Sequence, residues 1–328
     1  MSSLELKACA GGRLAHPRRI GVGMCATIGL FAAALMLAGC SQGIPPHLKP
    51  VPPEAAQRLA SKGMSTKDPI FIRIFKKEAE LEIWKQKDDG RFHHFKTYPI
   101  CNFSGKLGPK LKQGDRQSPE GFYSVGKGQL NPKSKFHLAF NLGFPNRFDR
   151  AHGYTGAHLM VHGDCTSAGC YAMTDAVIEE IYALARDALD GGQARFHVHA
   201  FPFRMTDENF ATHRRSKWAS FWVQLKRGYD DFEISHQVPT VDICARRYHV
   251  NAKFRGGRNR LRPNGPCPPY TRVAPIPWNG IGGDQDRDAL EAAFQTVTKR
   301  AGRVRSLRPT LNVQNKSRNI ITSGAREN

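Results

Sequence analysis

Short apolar runs separated by turn-forming residues dominate the sequence between residues 69 and 140. Such runs, rich in β-branched and aromatic side chains, predict strands. We predict strands at 69–75, 80–84, 92–98, 121–125, 136–140, 158–162 and 194–203. The polar residues 87–90 predict a turn between the second and third of these strands, and the stretch 103–119, rich in Gly, Lys and Gln, predicts a loop.

One segment, from 175 to 189, follows a helical pattern instead. Its apolar residues recur at the spacing of one helix face. Thr174 is positioned to cap the first turn, Asp175 complements the positive end of the helix dipole, and Gly191 can end the helix. The apolar stripe consists of Val177, Ile178, Ile181, Tyr182, Ala185 and Leu189.

A second helical region is predicted from 206 to 227. Its large apolar residues are expected in the core rather than around a ligand, and they are Phe210, Trp218, Phe221, Trp222 and Leu225. Strands outnumber helices, so the predicted fold class is α+β, mainly β, for a domain spanning 68–250.

The N-terminus carries the pattern of an export signal. Arg18 and Arg19 precede an uncharged apolar run that ends in Leu-Ala-Gly-Cys40, which resembles the bacterial lipobox. We therefore expect residues 1–39 to be a lipoprotein signal peptide and Cys40 to be lipidated. The alternative is an uncleaved anchor helix. Ser41 favours the outer membrane of a Gram-negative bacterium, and the Pro-rich segment 40–67 is expected to be an extended tether.

The chain has a formal net charge of +21, and its C-terminal segment is strongly basic. Residues 251–328 contain fifteen Lys and Arg against five Asp and Glu. We expect a largely disordered extension with one short helix near 286–300. The more specific alternative is that this segment binds electrostatically to an anionic cell wall or to lipid headgroups. An exported chain has no access to nucleic acid, so we predict no nucleic-acid partner.

Export also determines how the cysteines are interpreted. Five of the eight cysteines follow the lipidated position, namely Cys101, Cys165, Cys170, Cys244 and Cys267. They are expected to lie in an oxidising compartment, where pairs form disulfides. Because five is odd, at least one thiol is expected to stay free. Cys244 and Cys267 are one candidate pair.

The stretch "HLMVHGDCTSAGCYAMTD", 158–175, carries the candidate chemistry. A strand delivers His162, and Cys170 follows a turn of small residues and precedes the capped helix. The N-terminal end of a helix stabilises a thiolate, and a nearby imidazole can take the thiol proton. The Gly163 carbonyl can fix the imidazole tautomer, and the backbone beside Gly169 can supply an oxyanion hole.

This stretch resembles the signature of the L,D-transpeptidase catalytic domain, the YkuD-type family, and most closely its YafK-like branch. The blocks "YPICNFSGKLGPKLKQGDRQSPEGFYSV", "GFPNRFDRAHGYTG" and "PFRMTDENF" extend the resemblance over roughly 69–250. The family implies a β-rich sandwich and acyl transfer at a peptidoglycan stem peptide through a cysteine thioester. It implies Cys170 as nucleophile and His162 as general base, with Gly163, Ser167 and Gly169 shaping the site.

Position and charge beside the candidate site suggest further site residues. The candidate substrate contacts are His158, Lys110, Arg116, Arg150 and Tyr171. A disulfide between Cys101 and Cys165 is expected because both lie inside matched blocks. A zinc site around Cys165 is disfavoured because the ligand spacing is wrong and a fourth ligand is not obvious. We predict no metal and no organic cofactor.

One position departs from the family pattern. Many members have an arginine two residues after the cysteine, where this chain has Ala172. Three functions therefore remain open. The first is a transferase that passes the acyl group to an amine, for example that of a wall-linked lipoprotein. The second is a hydrolase or amidase of the same diaminopimelate-linked bond, and the third is a non-catalytic wall-binding lipoprotein.

Overall fold

The computed structural model describes residues 43–278, and all of the regular elements named here lie within that range. The helices are α1 (Pro53–Ser61), α2 (Arg147–Ala151), α3 (Asp175–Asp190), α4 (Asp207–Thr212) and α5 (Ala219–Ser235). The strands are β1 (Ile70–Phe75), β2 (Glu80–Gln86), β3 (Phe92–Pro99), β4 (Asn102–Phe103), β5 (Gly121–Gly126), β6 (Leu130–Ser134), β7 (His137–Asn141), β8 (Met160–His162), β9 (Tyr171–Ala172), β10 (Arg195–Phe201), β11 (Val241–Cys244), β12 (Arg247–Val250), β13 (Ala252–Phe254) and β14 (Tyr270–Arg272). Within these described residues, no helix is long and apolar enough to cross a membrane.

Two five-stranded sheets form the framework. The first has the order β3-β2-β1-β10-β5, and the second has the order β4-β9-β8-β7-β6. Most neighbouring strands are antiparallel, but β1 pairs in parallel with β10 and β8 pairs in parallel with β9. The fold is thus α+β and mainly β, as the sequence predicts.

The largest apolar cluster joins both sheets to α3. It contains residues of β1 and β7 together with the helix positions Ile178, Ile181 and Ala185, which are fully buried. The Thr174 hydroxyl accepts a hydrogen bond from the Val177 backbone N–H at 3.4 Å, and Gly191 lies at the C-cap. The predicted cap and stripe of this helix are both confirmed.

The second helical region is two helices rather than one. The chain leaves helical geometry between α4 and α5, where His213 closes the first helix with hydrogen bonds to Phe210 and Ala211 carbonyls. The predicted core role of its aromatics is confirmed, because Phe221 and Trp222 are buried in an apolar cluster with Leu225.

The prediction of an extended tether is wrong from residue 46 onward. Helix α1 packs on the main core through Ala55 and Leu59, which are 3% and 1% exposed. Lys49 forms an ion pair with Glu179 of α3 at 2.9 Å. Burial of the apolar face of α1 stabilises a helix of only 9 residues, which would be marginal alone. The predicted signal peptide and the lipidation site Cys40 lie outside the described residues.

The prediction of a disordered extension from residue 251 is also wrong as far as residue 278. Strands β13 and β14 form a hairpin in which Phe254 is paired with Tyr270. A disulfide between Cys244 and Cys267 ties this segment to β11. The helix predicted near 286–300 and the rest of the basic tail lie outside the described residues.

A buried ion pair connects the first sheet to the loop that precedes β5. Lys76, fully buried at the end of β1, contacts Glu120 at 3.0 Å. Its ammonium also donates to the carbonyls of Lys106, Gly108 and Ser118 at 2.8, 3.1 and 3.0 Å. Burial lowers the pKa of Lys76, and the Glu120 carboxylate opposes that shift. One ammonium thus holds three carbonyls of the loop.

Replacing this lysine by an isosteric apolar residue is expected to destabilise the fold strongly. Lys76→Met leaves the Glu120 carboxylate buried without its cation, a loss of about 3–5 kcal/mol in the free energy of unfolding. Urea unfolding measures it. The adjacent exposed Lys77 provides the control, since Lys77→Met should change the same free energy by less than about 0.5 kcal/mol. Equal stability of the two variants would contradict this account of the loop.

Candidate active site

Two adjacent parallel strands bring His162 and Cys170 to one face of the second sheet. In the β8–β9 pair, Val161 lies opposite Tyr171 and His162 lies opposite Ala172. Side chains alternate along a strand, so Cys170, just before β9, projects to the same face as His162. The register therefore makes the two residues diagonal neighbours on one face of the sheet.

The surroundings of His162 fix both its tautomer and its charge. The side chain is 2% exposed, and its Nδ1 lies 2.6 Å from the Gly163 carbonyl oxygen. A carbonyl can only accept, so Nδ1 carries the proton and Nε2 keeps a lone pair. Burial lowers the pKa of His162, although the Gly163 carbonyl opposes the shift. The imidazole is therefore neutral near pH 7, the state that a general base requires.

The thiol of Cys170 is half-buried and is the free cysteine of the described residues. Its Sγ accepts a hydrogen bond from the Met160 backbone N–H at 3.4 Å. Burial raises the pKa of the thiol, while that hydrogen bond and the charge of Lys110 oppose the shift. The resting group is therefore a protonated thiol, which needs a base before it can attack.

The expected contribution of a helix dipole to Cys170 is not found. Strand β9 lies between the cysteine and α3, which begins only at Asp175. A helix dipole acts over the first turn, so it does not lower the pKa of a thiol five residues upstream. The sequence placed the helix correctly but did not reveal the short strand before it.

The loop between the two candidate catalytic residues is held at several points. A disulfide joins Cys101 to Cys165, which have a sequence separation of 64 and Cα atoms 5.3 Å apart. The Asp164 N–H donates to the Asp175 carboxylate at 2.8 Å. The Met173 N–H donates to the His162 carbonyl at 2.7 Å. These three contacts hold the loop between His162 and Cys170 to the residues around it.

The small residues of the loop are required by close contacts. A Cβ at Gly163 would lie 2.5 Å from a carboxylate oxygen of Asp175 and 3.1 Å from Ile178. Gly169 has φ +130, a conformation that favours glycine. The Ser167 hydroxyl donates to the Cys170 carbonyl at 2.8 Å and accepts from the Gly169 N–H at 3.3 Å. These three residues therefore shape the backbone around the thiol, and the oxyanion role of the region stays a prediction.

Two of the predicted substrate contacts lie near the thiol. The His158 carbonyl oxygen is 3.6 Å from the Cys170 Sγ, while its exposed side chain lies outside β8 rather than on the strand as we predicted. The ammonium of Lys110 acts on the thiol electrostatically, although it is 4% exposed and paired with Asp115.

Of the other three predicted contacts, Tyr171 and Arg150 are not at the thiol, and the contact of Arg116 stays a prediction. Tyr171 is fully buried and its hydroxyl donates to the Pro119 carbonyl at 2.7 Å, so a substrate role for its side chain is wrong. Strand alternation explains the error, because Tyr171 points to the core while its neighbour Cys170 points away from it. Arg116 is exposed on the loop, and Arg150 lines a separate cavity.

The sequence did not identify the residues that orient the Cys170 backbone from a distance. The Ser118 hydroxyl donates to the Cys170 carbonyl at 2.9 Å from the loop before β5, 52 positions earlier in the chain. Met160 lies in a predicted strand, and the pattern of that strand gives no sign that its N–H donates to the thiol. The Ser118 contact depends on tertiary packing, so periodicity could not reveal it.

One group of side chains has metal-ligand chemistry. Donor atoms of Cys244, His249 and Cys267 lie within 4.8 Å of one another. The two sulfurs form a disulfide, however, so neither is available as a thiolate ligand. The His249 Nε2 is 3.2 Å from the Cys267 sulfur, which accounts for the proximity without an ion.

The fold and the site define a class of protein, a mainly β domain with a free thiol and a neutral imidazole on neighbouring strands. Residues 70–194 match the family model described as the L,D-transpeptidase catalytic domain, YkuD. YafK of Escherichia coli K12, a candidate L,D-transpeptidase, is 49% identical over 183 residues, which cover 56% of this chain and 74% of YafK. The chain belongs to the L,D-transpeptidase (YkuD) family.

Two solved structures share weaker similarity. The helical cell shape determining protein Pgp2 of Campylobacter jejuni is 17% identical with a TM-score of 0.34, covering 58% of this chain and 69% of Pgp2. Bd1075 of Bdellovibrio bacteriovorus is 20% identical with a TM-score of 0.30, covering 50% of this chain and 60% of Bd1075. Both TM-scores are too low to add to the family assignment.

The raised pKa of Cys170 predicts the pH dependence of its alkylation. The thiolate is the reactive form, so the rate with iodoacetamide should rise with a midpoint above the ordinary thiol pKa of about 8.5. Mass spectrometry of the labelled peptide measures that rate between pH 5 and 10. A midpoint well below 7 would contradict this, because it would indicate a preformed thiolate–imidazolium pair.

The Cys101–Cys165 disulfide is expected to affect both stability and activity. Loop-closure entropy over its 64-residue separation corresponds to about 4 kcal/mol, so Cys101→Ser/Cys165→Ser should lower the free energy of unfolding by up to that amount. The loop that it anchors joins His162 to Cys170, so the Cys170 acylation rate should fall as well.

The second disulfide provides the matched control for that experiment. Cys244→Ser/Cys267→Ser should lower stability by about 3 kcal/mol, because its sequence separation is 23 residues. It should leave the Cys170 acylation rate unchanged at temperatures where both variants stay folded. Equal losses of rate in the two double variants would show that the first disulfide has no specific role at the site.

Proposed function

We propose that this chain is a peptidoglycan-modifying cysteine acyltransferase in which Cys170 forms a thioester with a stem peptide. The observation that supports the proposal most directly is the placement of the free Cys170 thiol, by the β8–β9 register, diagonally across from His162, a neutral imidazole whose Nδ1–H is held by the Gly163 carbonyl. Family membership supports the reaction class, and the name of YafK agrees with it.

The proposed chemistry takes place in two acyl transfers. The His162 Nε2 removes the thiol proton, and the Cys170 sulfur attacks the carbonyl carbon of a bond next to a diaminopimelate residue. The carbon–nitrogen bond breaks, and the imidazolium returns its proton to the departing amine. An acceptor then attacks the thioester and gives a proton to His162, and the thiol is reformed when this proton returns to sulfur.

Hydrolysis of the same bond is the second candidate, and one observation favours it. Ala172 is fully buried and lies in register between His162 on β8 and Asn102 on β4. The position is thus a methyl group inside the sheet, so it supplies no guanidinium to bind the carboxylate of an acceptor. Water needs no such anchor, and an acyl-enzyme without an ordered acceptor is hydrolysed.

We also propose that the protein is a lipid-anchored protein of the bacterial cell envelope that acts in the periplasm. The N-terminal pattern that ends at Cys40 supports export and anchoring. Two disulfides among the described residues are compatible with an oxidising compartment. A wall-linked lipoprotein is the proposed protein partner, as acyl donor or as acceptor.

Product analysis with purified muropeptides tests the proposal. Cys170→Ala should abolish turnover, and His162→Gln should lower it by about 10²–10⁴. His158→Gln should have a smaller effect, because His158 is near the thiol through its backbone. New dimeric muropeptides would indicate transfer, and released monomers or freed protein would indicate hydrolysis. Undiminished turnover by Cys170→Ala protein would refute both the transferase and the hydrolase. A non-catalytic wall-binding protein would show no turnover even with Cys170 in place.

A further inference from the structure

A cavity of about 570 Å³ lies outside the candidate active site. It is lined by parts of β5, β10, α2 and the segment around β11 and β12, whereas Cys170, His162 and Lys110 do not line it. Small-molecule sites in proteins have volumes of this order, so the cavity is larger than a single inorganic ion needs.

The charged side chains that line this cavity are of one sign. Its lining residues include Arg147, Arg150, Arg195 and Arg258, and they include no Asp or Glu. Arg258 pairs with Asp242 at 2.7 Å. Across residues 43–278, no carboxylate lies within ion-pair distance of the other three guanidinium groups.

The unpaired guanidinium groups are held in place by neutral acceptors. Arg195 donates to the Ser124 carbonyl and to the Gln129 side chain, each at 2.6 Å. Arg147 donates to the Leu261 carbonyl at 2.9 Å, and Arg150 donates to the Pro145 carbonyl. Neutral partners position the guanidinium groups and form no ion pair with them, although the buried Asp149 carboxylate acts electrostatically on Arg150. A guanidinium has five N–H donors, so several remain for a ligand.

A buried histidine at the cavity wall gives an independent indication of a ligand. His199 is 1% exposed, lines the cavity, and has no hydrogen-bond partner on either ring nitrogen. Its ring lies between those of Phe71 and Phe122, with centroids 4.7 and 4.6 Å away. A buried polar group without a partner is unfavourable, and such groups are uncommon outside functional sites.

Strand geometry brings these groups together. Arg195, His197 and His199 alternate along β10, so all three project to one face of the strand, where they line the cavity. The guanidinium groups of Arg147 and Arg150 come from α2, on a different element. Concave sites with charges of one sign concentrate ligands of the opposite sign.

We propose that this cavity binds a small ligand with at least two oxyanion groups, carboxylate or phosphate. Carboxylates and phosphates match the planar, forked donors of arginine, and the three unpaired guanidinium groups provide more than one such position. The ligand's oxygens accept from these arginines, and the ring of His199 forms part of the wall beside them. This site is additional to the acyl-transfer centre and does not depend on turnover there.

Calorimetric titration of the full chain carrying Cys170→Ala tests the proposal, with pyrophosphate and a diaminopimelate-containing tetrapeptide as separate probes. We expect 1:1 binding of at least one probe, weakened roughly tenfold by Arg150→Gln and again by Arg195→Gln. Arg215→Gln, at an exposed arginine outside the cavity, is the matched control and should leave the affinity unchanged. Binding of the tetrapeptide alone would identify a wall peptide as the source, and binding of pyrophosphate alone would identify a phosphate compound.

Histidine ring resonances give a readout that does not require any arginine variant to fold. Bound ligand should shift the signals of His197 and His199 and leave that of His162 in place. Three results would overturn the proposal. The first is no binding of either probe up to about 10 mM, which is weaker than the millimolar range of specific ligands. The second is equal affinity of the arginine variants and the control. The third is a ligand-induced shift of the His162 ring signal alone. Failure of the acyl-transfer proposal would leave these measurements unaffected.

Discussion

The ion pair between Lys76 and Glu120 is the interaction on which the site depends most. The Lys76 ammonium fixes three loop carbonyls, and the Glu120 carboxylate accepts from the Gly108 N–H at 2.7 Å and from the Trp222 indole at 2.8 Å. The pair thus joins β1, the loop before β5 and α5. Because both charges are fully buried, the low local dielectric makes each of these contacts strong and makes the loss of either partner unfavourable.

The position of this loop determines the environment of the thiol. The loop carries Ser118, which holds the Cys170 carbonyl, and Lys110, whose charge opposes the rise in the thiol pKa. Residues far from Cys170 in sequence therefore contribute to its backbone position and to its electrostatic environment. The second sheet supplies the diagonal placement of thiol and imidazole and the Met160 N–H that donates to the thiol, and the loop adds the charge of Lys110.

Sequence patterns predicted the elements that are stabilised by residues close together in the chain. The helix α3 was found from Thr174, its apolar stripe and Gly191, because caps and amphipathic spacing are encoded within a few residues. The Cys–His motif was recognisable for the same reason. Helix α1 was missed because its prolines indicated an extended segment, whereas contacts of Ala55 and Leu59 with distant residues stabilise the helix.

Other features were missed because they depend on residues far apart in the chain. The β13–β14 hairpin pairs Phe254 with Tyr270 within a basic, Pro-rich segment, and the disulfide at Cys267 holds that segment to β11. Charge and proline content correctly indicate low helix content there, but they do not reveal a cross-link. The cavity lined by Arg195 and His199 could not be predicted either, because alternation on β10 places these residues on one face without showing what covers it.

The raised pKa of Cys170 has a consequence for a protein with two disulfides. Thiol–disulfide exchange proceeds through the thiolate, so a thiol that stays protonated near neutral pH attacks neighbouring disulfides slowly. The Cys101–Cys165 bond anchors the same loop, and an exchange there would remove both the proposed nucleophile and the anchor. In the proposed reaction, a neutral His162 reconciles the two requirements, because it would generate the thiolate only when a substrate carbonyl is in place to receive it. On that proposal, burial of the thiol and of the imidazole protects the free cysteine while preserving its ability to react.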